Sequence, residues 1–244
     1  MTWKRAIPIT AAVFVLGIAS FTPVAAGPGP ARKSPEKYTF SIQYGMITAG
    51  TATIEYKPAH DGLWLIESRA SSNAFFDVFF KVRDRVSAWI DPKTMRSIRF
   101  EKALREGAYE KDESVDFDWD RGVAIYEDGT EVPITGDIRD VLSVFYYVRT
   151  LRMPLGGKIP VTYHASKKNW PVHVDVHNVE MVKTPAGEFR CIRIEPHLES
   201  VGVFNQSGRL TVWITADERR MPVKLQSKVI FGAFEAVLTD YLPG

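Results

Sequence analysis

From Lys37 onward, apolar and polar residues alternate with a period of two over most of the chain. Tyr38, Phe40, Ile42 and Tyr44 fall on one side and Thr39, Ser41 and Gln43 on the other, as in a strand with one buried face. The pattern recurs in Ile47–Lys57, Leu63–Ala70, Val82–Ile90, Met95–Glu106, Ala108–Trp119, Val123–Tyr126 and Glu131–Ile134. It returns in Lys158–Ser166, Pro171–Lys183, Glu188–Ser200, Arg209–Thr215, Val223–Ile230 and Gly232–Leu242. Pro58-Ala59-His60-Asp61-Gly62, Asp120-Arg121-Gly122 and Thr184-Pro185-Ala186-Gly187 are among the short turns between runs, which join antiparallel neighbours. The reading gives about thirteen strands. A sheet that long exposes its edges unless it curls. The expected fold is therefore all-β: a single antiparallel β-barrel, or an open half-barrel of about 12–14 strands. No linker composition interrupts residues 36–244, so they are expected to form one domain. A barrel that wide cannot fill its interior from its strands alone, so a helix, a loop or a ligand must occupy it.

One segment breaks the alternation. Asp137 is a candidate cap, and Ile138, Val141, Leu142, Phe145, Val148 and Leu151 follow at three- and four-residue steps. This predicts a helix over about 137–151, packed on or in the barrel and stopped by Pro154, Gly156 and Gly157.

The first residues form a separate zone. Lys4 and Arg5 precede the uncharged apolar run Ala6–Phe21, and Ala25-Ala26 supplies small residues before Gly27. This is the pattern of a secretory signal peptide over 1–26. The run is shorter than the roughly 20 residues a membrane span needs. Residues 27–35, rich in Gly and Pro, read as a flexible tether. The expected location is outside the cytoplasm, in the periplasm of a Gram-negative source, with no transmembrane segment once the leader is removed. The whole chain has 31 Lys+Arg against 29 Asp+Glu, and loss of Lys4 and Arg5 makes the mature chain neutral. That balance argues against a nucleic-acid binder. The single cysteine, Cys191, excludes an internal disulfide framework and reads as a small buried residue.

Val82-Arg83-Asp84-Arg85, the run Asp140–Arg149, the segment from Thr211-Val212-Trp213 to Arg220-Met221-Pro222, and Phe231-Gly232-Ala233-Phe234 form a set. On these residues the chain resembles bacterial domain-of-unknown-function family 3108, whose members are exported. The resemblance implies a β-barrel-like fold and carries no activity or catalytic residue. At fold level it is similar to periplasmic half-barrels that carry lipoproteins or lipids.

Several constellations bear on function. His173, Asp175 and His177 share one strand face, with Val172, Val174 and Val176 on the other. Such a face is a candidate metal site, but neighbouring same-face positions lie about 6.5–7 Å apart, which strains a three-ligand set. The reading adopted is a solvated face, with no metal and no cofactor. His164 and His197 would join only if the fold brings them close. Phe75, Phe76, Phe79 and Phe80 suit either a greasy lid over a cavity or a plug in the barrel end, and the plug is the expected structure. Arg83 and Arg85 suit an anionic head group or structural ion pairs, and Asp84, if inward, needs a buried partner. Together Phe75, Phe76, Phe79, Phe80, Arg83 and Arg85 are the candidate ligand-binding residues.

Asp116 and Asp118, with Tyr146, Tyr147 and Arg149, invite a hydrolase reading, but Val115, Phe117 and Trp119 alternate with the carboxylates as in an ordinary sheet. No nucleophile elbow, zincin helix or phosphate loop is present. Asp217, Arg219 and Arg220 read as a solvated turn. The expected function is that of an exported, non-enzymatic barrel holding an apolar or amphiphilic envelope ligand. An envelope scaffold without a small ligand is the first alternative, and a polysaccharide hydrolase the second.

Overall fold

The computed structural model describes residues 34–197, 210–228 and 232–242, and every count or absence below refers to those residues. The expected leader and most of the expected tether lie outside them.

Strands β1 (Glu36–Tyr44), β2 (Ile47–Pro58) and β3 (Trp64–Ser72) are followed by a short helix, α1 (Ala74–Asp77). Next come β4 (Arg83–Ile90), β5 (Ser97–Glu106), β6 (Tyr109–Asp118), β7 (Val123–Tyr126), β8 (Glu131–Pro133) and β9 (Ile138–Arg139). Helix α2 (Val141–Val148) leads to β10 (Lys158–Ala165), β11 (Lys168–Thr184), β12 (Gly187–His197), β13 (Leu210–Thr215), β14 (Pro222–Lys228) and β15 (Ala233–Leu242). All fifteen strands belong to one sheet, ordered β8-β7-β6-β5-β4-β3-β2-β1-β15-β14-β13-β12-β11-β10-β9. The strand beyond the sequence reading is the shortest, β9, where two residues are too few to register a period; the expected run Glu131–Ile134 is β8. The first and last strands pair antiparallel at the centre, and only β9 and β10 are parallel.

This order forces the curl. Flat, the edge strands of such a sheet would lie roughly 65 Å apart, at about 4.8 Å per strand. Yet β8 ends at Pro133 and β9 begins at Ile138, a stretch of chain that reaches at most about 17 Å. The sheet therefore rolls until its edges nearly meet, without closing through backbone hydrogen bonds.

Side chains bridge the seam. The Lys167 amide donates to Tyr126 Oη (2.6 Å), which lies 2.9 Å from His164 Nε2, and His164 Nδ1 lies 2.6 Å from Asn169 Oδ1. Asn169 Nδ2 then donates to the Pro133 carbonyl (2.8 Å). One proton arrangement satisfies every member: Tyr126 donates to Nε2 and His164 donates from Nδ1. Burial holds the His164 ring below its ordinary value and pushes the Tyr126 hydroxyl up to about 12.

Helix α2 fills one end of the roll. Its sequence, VLSVFYYV, is apolar all round, which suits a helix surrounded by core. Tyr146 joins Tyr56, Ile66, Ile90, Phe100 and Phe117 of the first wing. Val148 joins Ile159, Val174, Val176 and Ile192 of the second. Val144 packs on Tyr163 and Trp170.

The expected helix boundaries need correction: α2 runs from Val141 to Val148, and its cap is Asp140, not Asp137. Ile138–Arg139 is drawn into the sheet beside β10, which postpones the helix. The buried Asp140 carboxylate accepts from the Leu142 and Ser143 amides and from the Ser143 and Ser97 hydroxyls. Burial nonetheless pushes its pKa up.

Candidate functional site

The end containing α2 is sealed by buried charge. Arg149, just after the helix, pairs with Glu36 at 2.7 Å, donates to the Arg220 carbonyl at 2.7 Å and lies 4.6 Å from the centre of the Tyr146 ring. Burial alone would lower the Arg149 pKa, but Glu36, with Tyr146 and Tyr38, holds it above its ordinary value. Arg139 donates to the Met95 and Thr94 carbonyls (3.0 and 2.9 Å) and stacks on Tyr147. Tyr146, Tyr147 and Arg149 are thus committed to anchoring the helix.

The opposite end differs. Strand alternation turns Ala52, Ala70, Val86, Leu225 and Ala236 inward, in line with the core residues Tyr56, Ile66 and Ala88, yet all five keep partial exposure. Lys102 shares a face with Phe100 and Leu104, and its cross-strand partner Glu113 shares one with Val115 and Phe117. Glu113 binds Lys102 at 3.0 Å and Lys111 at 3.1 Å. Burial would raise the Glu113 pKa, but the two ammonium groups outweigh it and the carboxyl sits below its ordinary value. Inward Asp84 accepts from the Arg105 amide at 2.9 Å, which supplies the buried partner it requires. Sequence reasoning missed Lys102, Lys111 and Glu113, although their parity with Phe100 and Val115 was the signal.

The candidate ligand-binding residues lie on the rim and outer wall of this end. Phe75 and Phe79 are 63% and 74% exposed, so the expected plug does not form. Asn73 caps α1 by accepting from the Phe76 amide at 3.0 Å, and this short helix stands on the β3–β4 connection outside the lumen. Phe76 and Phe80 are half-buried, and a Cβ at Gly107 would lie 2.8 Å from the Phe80 ring. Arg83 grips Asp77 at 2.6 Å and, with Ser72, holds that carboxyl down at about 2. Arg85 and Arg69 both grip Glu67, at 2.7 and 2.8 Å. The three arginines, with Thr51, Thr53 and Ser71, line a shallow depression of ≈ 440 Å³.

His173, Asp175 and His177 lie on the outer face of β11. His173 lies 3.7 Å from Asp175, and His177 lies 3.4 Å from Glu195, so the set divides between two pairs. Lys158 Nζ approaches His173 Nε2 at 3.3 Å, a cation where a metal would compete. No group of three His, Cys, Asp or Glu side chains among the described residues is placed to hold a metal. His164 belongs to the seam, and the His197 side chain lies outside the described residues. Asp116 binds Arg99 at 2.8 Å, while Asp118 accepts from the Arg121 amide. Cys191 is fully buried, with its thiol pushed up to about 12. Asp217 and Arg219 pair across their turn.

A half-barrel with a helix closing one end defines the structural class. A model described as "Protein of unknown function (DUF3108)" matches residues 39–239, and the chain belongs to that family. No curated protein sequence matches it. Among solved structures, the chain is similar to a beta-barrel-like protein of domain of unknown function DUF1849 from Brucella abortus. The TM-score is 0.60 at 9% identity, over 88% of this chain and 99% of that one. A protein from Bacteroides fragilis described as exported, with a YmcC-like fold, aligns at TM-score 0.38 and 11% identity, over 89% and 100% of the two chains. A protein from Parabacteroides distasonis described as a lipoprotein aligns at TM-score 0.37 and 8% identity, over 88% and 97%. The first supports the β-barrel-like fold; the other two carry no argument here.

Proposed function

We propose that this protein is an exported, non-enzymatic half-barrel that holds an amphiphilic envelope molecule, acyl part inward, in the end opposite α2. The carrying observation is the inward wall there: small apolar residues with partial exposure beside the Lys102–Glu113–Lys111 cluster. Apolar pockets with a few placed polar groups are the usual form of small-amphiphile sites. Two ammonium groups on one carboxylate leave positive charge for a phosphate or carboxylate head group.

The outer wall supports the same reading. Lys37–Glu55, Arg69–Glu67–Arg85, Arg99–Asp116 and Arg105–Asp112 cover it with charge. A barrel wall facing lipid is an apolar band, so such a wall suits water outside and the apolar molecule inside. No described helix is long and apolar enough to cross a membrane. The signal-peptide pattern supports export. The engagement of Asp116 with Arg99, and of Asp118 with its turn, supports a non-enzymatic role.

Native mass spectrometry of protein purified from its source envelope tests the proposal. An adduct of lipid mass that disappears on delipidation is expected, weakened by Lys102→Met with Lys111→Met. A bare mass before delipidation would contradict it.

A further inference from the structure

Three adjacent turns at the mouth end carry apolar side chains outward. In the β1–β2 turn, Met46 is 102% and Ile47 55% exposed. In the β3–β4 connection, Phe75, Val78 and Phe79 are 63%, 78% and 74% exposed. In the β5–β6 turn, Tyr109 is 41% exposed.

The turns are fastened to one another. Asn73 donates from its amide to the Ala49 carbonyl at 2.9 Å and from Nδ2 to the Thr48 carbonyl at 2.6 Å, tying α1 to the first turn. The Gly107 amide donates to the Lys81 carbonyl at 2.8 Å, tying α1's trailing segment to the third. Ser72 donates to Asp77 at 2.5 Å and accepts from the Val82 amide at 2.8 Å, which fixes the loop that presents Phe75 and Phe79. The rim is thus a set of preorganised apolar tips on a structure with a charged outer wall.

We propose that this rim docks on the surface of an anionic lipid bilayer, inserting Met46, Phe75, Val78 and Phe79 among the acyl chains. Two observations favour a bilayer over a protein partner. The apolar side chains stand on separate turns with the polar Asn73 and Asp77 between them, whereas a specific protein interface needs about 800 Å² of continuous surface per partner. Fluid lipid closes around separate tips, as it does around interfacial amphipathic elements. The charge also matches: on the outer wall beside the rings Arg69, Lys81, Arg83 and Arg85 outnumber their partners Glu67 and Asp77 by two positive charges. Tyr109 sits where an amphipathic ring suits the head-group layer. Docking in this pose sets the mouth of the lumen against the membrane, so an amphiphile enters without crossing water.

Flotation of the full chain with vesicles of phosphatidylethanolamine and phosphatidylglycerol tests this. The wild type floats, and Phe75→Ser with Val78→Ser and Phe79→Ser lowers the bound fraction roughly tenfold or more per ring. Lys81→Glu weakens flotation and lowers its salt sensitivity. Leu155→Ser, which removes a side chain 59% exposed in the α2–β10 loop, leaves flotation unchanged. Wild type that stays with the soluble fraction, a triple variant that floats normally, or equal loss in Leu155→Ser overturns the proposal. So does a wild-type dimer that the triple variant dissolves, since the rim then belongs to a second copy. The triple variant keeps its lipid-mass adduct in native mass spectrometry, which separates failure of docking from failure of the lumen reading.

Discussion

At the α2 end of the barrel, charged side chains are buried and large apolar ones face the interior. At the mouth end, Lys102 and Lys111 keep partial exposure although Asp84 and Glu106 are buried, and large apolar side chains stand in solvent. Glu36, Arg139, Asp140 and Arg149 belong to the first end; Lys102, Lys111, Phe75 and Phe79 belong to the second. The difference teaches where the chain spends its stability. A buried charge is tolerated only when fully partnered, so the α2 end is fixed in one arrangement. An exposed ring contributes little to folding, so the mouth end is free to be shaped for contact with something else.

The largest expected effect is at the sealed end. Arg149→Met leaves Glu36 buried without its cation and should cost about 3–5 kcal/mol. Urea denaturation measures it, and a loss below about 1 kcal/mol would mean that apolar packing alone holds α2. Next is Asp140→Ala, which removes the cap and leaves Ser97 without its carboxylate, at about 2 kcal/mol by the same assay. Breaking the seam comes third. Tyr126→Phe removes the hydroxyl joining the Lys167 amide to His164 and should cost about 1 kcal/mol.

The seam also predicts a pH dependence. Burial depresses the folded-state pKa of His164 below the ordinary 6.5, so the unfolded chain takes up the proton first. The stability contributed by the neutral ring is full above about pH 6.5 and declines as the pH falls below it. Thermal melts across that range should show a slope that His164→Gln flattens. The smallest effect is at the rim: Phe75→Ser and Phe79→Ser should each change stability by less than about 0.5 kcal/mol. A larger loss would make the rings part of the core and abolish the contrast between the ends.

Much of this was legible in the residues. Alternation from Tyr38 to Tyr44, and the turns at Gly107 and Gly122, place the strands near their observed positions, and Glu36 begins both the expected domain and β1. The errors arose where distant parts of the chain decide the outcome. Asp137 is the cap that spacing suggests, but β10 captures Ile138 and Ser97 holds the later carboxylate of Asp140. Glu36 showed no sign of its partner 113 residues away. Four phenylalanines in six residues suggested a plug, yet α2 already fills the lumen's closed end and α1 stands outside. Lys102 and Glu113 differ: their inward parity was readable, but charged residues in a strand are assigned to the solvent face by habit.

The central claim, that the lumen and not the outer wall receives the amphiphile, is tested most directly by photo-crosslinking from adjacent residues of β3. A photoreactive residue at Ala70 points inward, and one at Ser71 points outward. Irradiated in the source cells, the Ala70 probe should capture a lipid-mass adduct and the Ser71 probe should not. Capture from Ser71 alone, or from neither, would contradict the account.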